Sequence, residues 1–368
     1  MLDRLKSFLH LTYLEARACI KEGRRVYSPG GPEPRLYYGH DHVPGREEKS
    51  SGGMVKYQDL SVRFPNTVNG ANIVYLVSSA LPLFPEYVLR KAKVCGVKIV
   101  INQNGVAFPA YHAERCEIIN GPRRRLMQMA DYVIYQSDFS RIASDKYLCA
   151  CNAPSIVLHN PVDTEVFVPA GRYVKGREMV LLLAGSHRHE YRISTALEVL
   201  SVLRRQRVPA VLRIAGNLAW DKEEKCRESV KALAEKLGIE GFVKIEGSYT
   251  QNQAVKVLQD CDILVHTQYM DCCPRLVVEA MACGKPVIYS ASGGVTELVG
   301  KEAGIGVSVS MDWNKIQTCH PSLMAEACVK VMDNYESYSG CARKRAVDRF
   351  DVSWWRKKHS EIFDAMLR

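Results

Sequence analysis

No apolar run in this 368-residue chain approaches the roughly 18 to 20 residues needed to cross a bilayer. The opening stretch, MLDRLKSFLH, has neither the apolar h-region nor the cleavage site of a secretory signal. No Walker-type phosphate loop is present, and no G-x-G-x-x-G follows any apolar run, so ATPase and dehydrogenase readings lose their support. Low-complexity tracts and short-period repeats are also missing. Thirteen cysteines form no repeating frame: Cys149-x-Cys151 and Cys272-Cys273 are the close pairs, and neither has a second half nearby to complete a four-ligand metal site. Reduced thiols and a cytoplasmic location are the expectation.

What is there is the composition of a globular protein, 47% hydrophobic and 24% charged, long enough for two domains. A net charge of +10 favours anionic partners, among them nucleotides, phosphosugars and an anionic membrane face. Leu2, Leu5, Leu9, Tyr13, Ala16 and Ile20 recur at three- and four-residue steps, predicting an amphipathic helix over 1–24. SPGGPEP (28–34) then breaks the chain. Short apolar runs alternate with helical segments from there: RLYYG, NIVYLVSS, KIVINQNG and DYVIYQS, then MVLLLAGS, AVLRIAGN, FVKIEGS, DILVHTQ and KPVIYSAS. Such alternation predicts two parallel sheets covered by helices, with a boundary near 160–178.

In open α/β sheets, ligands sit beyond the carboxyl ends of the strands, so the residues just after each apolar run carry the interest. LLLAGSHRHEYRIS places Gly185, Ser186, two histidines, Arg188 and Arg192 between a strand and a helix, where amides and a fixed cation can hold a diphosphate. Gly52 and Gly53 stand directly before another helical segment and let a ligand approach the backbone. Asn104 follows the run KIVINQ. In MDCCPRLVVEAMACGKPVI, Asp271 and Glu279 flank a tight turn and a helix expected to begin near Leu276 and to end at Gly284. Carboxylates there can accept sugar hydroxyls while free amides meet phosphate.

The stretch DCCPRLVVEAMACGKPVIYSASGGVTELV resembles the signature of the retaining, GT-B-fold glycosyltransferases of family 4 (glycosyl transferases group 1), whose E-x7-E motif runs into EAMACGxPVI and GGxxELV. YVIYQSDFSR, HNPVDTEVF, AGS, IAGN and the closing FDVSWW follow in family order, and the likeness covers roughly residues 35–368. It implies two Rossmann-like, doubly wound domains facing a cleft. The acceptor side would span 35–165 plus 353–368, and the nucleotide-sugar side 166–352, behind an N-terminal helix and linker at 1–34. By position, Arg192 matches the phosphate-binding lysine, Glu279 the ribose-binding acid and Asp271 the acid on the donor-sugar hydroxyls. The amides of Cys273, Pro274's neighbours Arg275 and Leu276, and the glycines 52, 53 and 185 would support sugar and phosphate, while Asn217 and Tyr249 would line the base and ribose pocket. The implied reaction is hexosyl transfer from a nucleotide diphosphate sugar (UDP or GDP) to a glycan, glycolipid or other hydroxyl acceptor, without metal or other cofactor.

Three positions depart from the family pattern: Asp271 for Glu, Ser186 for Arg, and Asn104 where many members carry His. An amide is no general base; in the front-face, retaining displacement that the resemblance implies, the leaving phosphate itself can take the acceptor proton and Asn104 need only orient groups. Ser186 leaves Arg188 or His187 as the substitute cation. The rival readings are a non-catalytic nucleotide-sugar-binding or assembly protein, and a GT-B epimerase or phosphorylase; nucleic-acid binding has no recognition motif behind it. Asp260-Cys-Asp262 reads as structural, His40-Asp41-His42 as a loop rather than a metal site, and Trp354 and Trp355 as packing residues. Arg123, Arg124 and Arg125 read as a solvated helix face, with contact to an anionic acceptor or to membrane lipid as the functional alternative. The apolar stripe of the N-terminal helix is expected to pack on its own domain or a second subunit, with docking at an acidic inner membrane face as the alternative.

Overall fold

The computed structural model describes residues 2–48, 50, 52–171 and 176–368, with side chains from His10 onward. Two compact units form: the chain up to Leu158 joined by Trp355–Arg368, and His159–Trp354.

In the first unit, five parallel strands lie in chain order: β1 (Leu36–Tyr37), β2 (Ile73–Val77), β3 (Lys98–Gln103), β4 (Tyr132–Tyr135) and β5 (Ser155–Val157). Strand β2 is buried along its whole length, which is why its run IVYLV is continuously apolar rather than alternating. Ile73, Tyr75 and Val77 share one apolar cluster with α2 (Gly52–Ser61) and the last helix, α14 (Val352–Leu367). Their alternates Val74 and Leu76, with Ile99 and Ile101, are equally buried; α3 (Pro85–Val94) and, after the short α4 (Pro109–His112), α5 (Cys116–Met129) lie against β3, and α6 (Asp138–Tyr147) against β4. The helix cover therefore changes face between the first crossover and the second. Loops leaving the carboxyl ends of β1 and β2 part in opposite directions there, the arrangement that opens a ligand crevice in α/β sheets.

Helix α1 (Leu2–Arg24) departs from its expected orientation. Tyr13, Ala16 and Ile20 of the apolar stripe face solvent; Leu2, Leu5 and Leu9 lie outside the described side chains. The helix is fastened instead by polar groups. Buried Glu22 accepts from Arg25 Nε at 2.9 Å and Tyr27 Oη at 2.7 Å, Glu15 accepts from Tyr87 Oη at 2.9 Å, and Lys91 Nζ donates to the carbonyls of Glu22, Gly23 and Arg25. These bonds outrank periodicity because a buried carboxylate must be paired, whereas an exposed Ile costs little.

The second unit holds β6 (Met179–Ala184), β7 (Ala210–Ala215), β8 (Val243–Gly247), β9 (Ile263–His266), β10 (Val287–Ala291) and β11 (Gly304–Ser308), all parallel, in the order β11-β10-β9-β6-β7-β8. The order reverses between β6 and β9. Leu181 and Leu183 of β6 face α7 (Tyr191–Arg205), α8 (Glu223–Lys236) and α12 (Pro321–Asp333), while Leu182 and Ala184 face α9 (Gln251–Gln259), α10 (Arg275–Ala282), α11 (Val295–Val299) and α13 (Tyr335–Phe350). Strand β11 hides in the sequence because it is GIGVS. A Cβ on Gly304 would stand 2.0 Å from the Val287 carbonyl, and one on Gly306 would strike the Tyr289 ring, so only glycine lets β11 close on β10.

Candidate functional site

The strand reversal places the loops after β6 and β9 side by side at the carboxyl edge of the second sheet, where such folds bind ligands. The β6 loop begins at Gly185, whose φ of +101° favours glycine. Gly216, after β7, presses on it: a Cβ at 216 would lie 1.9 Å from the Gly185 carbonyl oxygen. Ser186 and Arg188 are exposed, and Asn217 is exposed beyond Gly216. His187 is fully buried, with Nε2 3.1 Å from the Ala215 carbonyl. Burial, reinforced by the nearby Arg192 cation, lowers its pKa to about 3, so the imidazole is neutral at ordinary pH. His187 therefore cannot substitute for a missing cation; Arg188 is the exposed positive group in this loop.

Arg192 stands in the first turn of α7, almost wholly buried. Its guanidinium folds back and donates to the Ser186 carbonyl at 2.8 Å and towards the Ala184 carbonyl at 3.4 Å. Thr267 Oγ1 donates to the Arg192 carbonyl at 2.8 Å, and Tyr191 Oη accepts from the Tyr269 amide at 3.0 Å, so the β6 and β9 loops are stitched together.

The β9 loop is held hard. Met270 takes a left-handed backbone (φ +48°), rare outside glycine and asparagine, and its amide donates to Ser292 Oγ at 2.9 Å. The Asp271 carbonyl accepts from the Gly294 amide at 2.8 Å, and a Cβ on Gly293 would lie 2.4 Å from that same oxygen. Asn160, from HNPVD, donates through Nδ2 to the Cys273 carbonyl and through its amide to Cys273 Sγ at 3.3 Å. Pro274 caps α10, which starts at Arg275, one residue before the expected position, and ends at Ala282. Glu279 lies in mid-helix, one turn beyond Arg275, whose Nε donates to it at 3.0 Å. Leu276 approaches Gly185, within 3.9 Å of where a Cβ there would stand. Tyr249 is raised above the ordinary phenol pKa by burial and then by the Glu279 carboxylate, with Arg192 opposing, so all three sit within electrostatic reach. One end of this sheet thus gathers Gly185, Ser186, Arg188, Arg192, Asn217, Tyr249, Asp271, Cys273, Pro274, Arg275, Leu276 and Glu279. A fixed cation, two helix starts and two carboxylates can grip a diphosphate at one end and hydroxyl groups at the other.

The first unit has its own polar cluster where α2 meets the carboxyl ends of β2, β3 and β4. Gly53, second in α2, has no room for a side chain, since a Cβ would fall 2.6 Å from Ser79 Oγ and 2.7 Å from Ala80 Cβ. Gly52, beside it, meets nothing within 4 Å. Asn104 donates to Ser79 Oγ at 2.5 Å and accepts from Lys56 Nζ at 2.9 Å. The same Nζ donates to Asn102 at 2.8 Å and Gln136 at 3.1 Å. Lys56, which the sequence reading passed over, is thus the centre of this cluster. Its signal was a lysine between apolar neighbours in GGMVKYQDL, on the helix face that meets the sheet.

Signals set aside from the sequence have structural explanations. Asp262 accepts from the Val180 amide at 2.8 Å and pairs with Arg177. His40 Nε2 meets the Ala80 carbonyl at 2.9 Å. Arg124 pairs with Glu117 and Arg125 with Glu86. Among the described residues, no group of three or more His, Cys, Asp or Glu could hold a metal ion, and no helix is long and apolar enough to cross a membrane.

Comparison with curated proteins by sequence yields no match. Solved structures are matched by fold. HepE of Anabaena, solved with UDP, superposes with a TM-score of 0.64 at 18% identity, covering 80% of this chain and 79% of that one. Sucrose-phosphate synthase of Thermosynechococcus elongatus gives 0.66 at 14% identity, with 84% and 76% covered. A glycosyltransferase of Rickettsia africae gives 0.62 at 16%, with 81% and 77% covered. Residues 171–318, which hold the β6–β9 site, match the family model described as glycosyl transferases group 1. The chain therefore has the GT-B fold, and its residues 171–318 are similar to the glycosyl transferases group 1.

Proposed function

We propose that the protein transfers a hexosyl group from a UDP- or GDP-sugar to a hydroxyl of a glycan or lipid-linked acceptor, with retention of configuration and without a metal ion. The carrying observation is the convergence of Arg192, Glu279 and Tyr249, with Asp271 in the β9 loop at the same strand reversal, inside the family-matched segment. HepE has been solved with UDP and with UDP-glucose, which supports a uridine donor here. Glu279 would hold the ribose, Asp271 the sugar hydroxyls, and Arg192 with the α7 and α10 amides the diphosphate. In the reaction, the bond from the anomeric carbon to the diphosphate oxygen breaks. A bond to the acceptor oxygen forms on the same face, and the acceptor proton passes to the departing phosphate. Positive groups fixed before the reaction stabilise the charge that develops on it. Asn104, tied at both ends of its amide, orients groups and moves no proton. The solvent-facing Tyr13, Ala16 and Ile20, beside Arg17, Lys21 and Arg24, support peripheral contact with an anionic membrane face in the cytoplasm.

Thermal shift against UDP, GDP, ADP, TDP and CMP sugars, with and without EDTA, tests the reading, followed by assay of released nucleotide. One nucleotide should raise the melting temperature irrespective of chelator and turn over. Glu279→Gln should lower its affinity about tenfold or more, the cost of losing a charge-assisted hydrogen bond. Binding without transfer or hydrolysis would instead mark a non-catalytic binding protein.

A further inference from the structure

His266 ends β9 and is 3% exposed. It sits beside Tyr289 in the β9–β10 register. Neither of its ring nitrogens has a hydrogen-bond partner. Buried polar groups left so are uncommon, and a neutral imidazole carries both a donor and an acceptor to satisfy. Nε2 lies 3.3 Å from Asp271 Oδ2 without the alignment of a hydrogen bond. The Asp271 backbone is immobilised by Gly294 and Gly293, while its side chain keeps 28% exposure. The carboxylate torsions remain free, and His266 is the buried, unpartnered group whose Nε2 stands 3.3 Å from that carboxylate. Hydrogen bonds at ligand sites are often misaligned before ligand arrives and tighten with it.

We propose that His266 is a positioning residue for Asp271: its Nε2–H closes onto Oδ2 and fixes the carboxylate plane, leaving Oδ1 to accept hydroxyl hydrogens of the donor hexose. This rests on the function proposed above. The pairing also gives the shorter acid a role. With Asp at 271 the carboxylate stays within reach of the strand end, and His266 supplies the rigidity that a side chain with two free torsions lacks. Discrimination between hexose epimers then resides in the His266–Asp271 pair, whereas affinity for the nucleoside diphosphate resides elsewhere.

The test compares His266→Leu, which keeps the volume and removes the donor, with His266→Gln, whose amide can present an N–H near the Nε2 position. Donor-sugar kcat/KM should fall about tenfold to a hundredfold in H266L and largely recover in H266Q, while inhibition by the free nucleoside diphosphate stays within about twofold of wild type. Equal kinetics in wild type and H266L would overturn the proposal. So would parallel loss of nucleoside diphosphate affinity with no rescue by H266Q, since that is a collapsed loop. A readout independent of turnover is imidazole 15N NMR at one pH: Asp271→Asn should displace the His266 Nε2 resonance, and an unmoved resonance overturns the pairing. Wild type that neither binds nor turns over any nucleotide sugar defeats the proposed function, and the NMR comparison still decides the His266–Asp271 contact.

Discussion

Lys56 shows what a single residue decides here. The residue is 2% exposed, and its ammonium donates to the amide oxygens of Asn102, Asn104 and Gln136, which come from the ends of two strands. Asn102 continues the chain to Tyr75 Oη at 2.9 Å, and Tyr75 reaches His359 Nε2 at 3.0 Å. Removing the cation leaves several buried acceptors without donors, each costing about 1–3 kcal/mol. Lys56→Met should therefore destabilise the first unit by about 3 kcal/mol, roughly 6–12 °C in melting temperature for a unit of this size. It should also free Asn104 to reorient. Differential scanning calorimetry checks the first expectation, and an unchanged transition would mean that the amides find other donors.

At the level of elements, α14 decides the stability of the first sheet. Trp355, Ile362 and Phe363 enter the cluster under β2, and Phe363 meets Phe64 edge-on at 5.2 Å and Tyr75 at 6.0 Å. Arg356 adds a bond to the Asp59 carbonyl at 2.7 Å, tying α14 to α2. The two tryptophans expected to pack diverge: Trp355 is 1% exposed and Trp354 43%. One step along a helix is about 100°, so neighbours cannot both face the same core. Phe363→Ala should cost about 3–5 kcal/mol, whereas Trp354→Ala should cost under about 1 kcal/mol. Urea unfolding of the two variants separates them, and similar midpoints would contradict the assigned core.

Across the whole molecule, each unit contains a fully buried histidine whose pKa is strongly lowered. In the first unit His359, fully buried, is held between the Trp355 carbonyl and Tyr75, and desolvation, with Lys56 adding repulsion, lowers its pKa to about 3. His187 in the second unit is lowered to about 3 in the same way. Unfolded histidine titrates near 6.5, so below that pH the unfolded chain binds the extra proton and the folded chain does not. The stability is fully present above about pH 6.5 and is lost as pH falls towards 3, at about 1.4 kcal/mol per pH unit for each histidine. Urea midpoints measured at pH 7, 6 and 5 should fall steadily. His359→Gln should flatten the slope of the first unit's transition, and an unaltered slope would place the proton uptake elsewhere.

The sequence by itself determined the parallel strands, the two-domain build and the order of the motifs, because these rest on local periods and on turn residues that act within a few positions. Continuous apolar runs such as IVYLV and MVLLLA declare buried parallel strands wherever they occur. Gly185 and Asp271 could be picked out because loop chemistry beyond strand ends follows from fold class, and Glu279, in mid-helix, through its spacing from Asp271. Partners distant in sequence were not legible. Lys56 meets Gln136 across 80 residues, and Asn160 meets Cys273 across 113. The outward turn of the α1 stripe is of the same kind, since it follows from where Glu22 and Lys91 find their bonds. His187 and Arg188 are adjacent in sequence, yet one is a neutral core group and the other an exposed cation. Burial decides that difference, and burial is a property of the assembled fold.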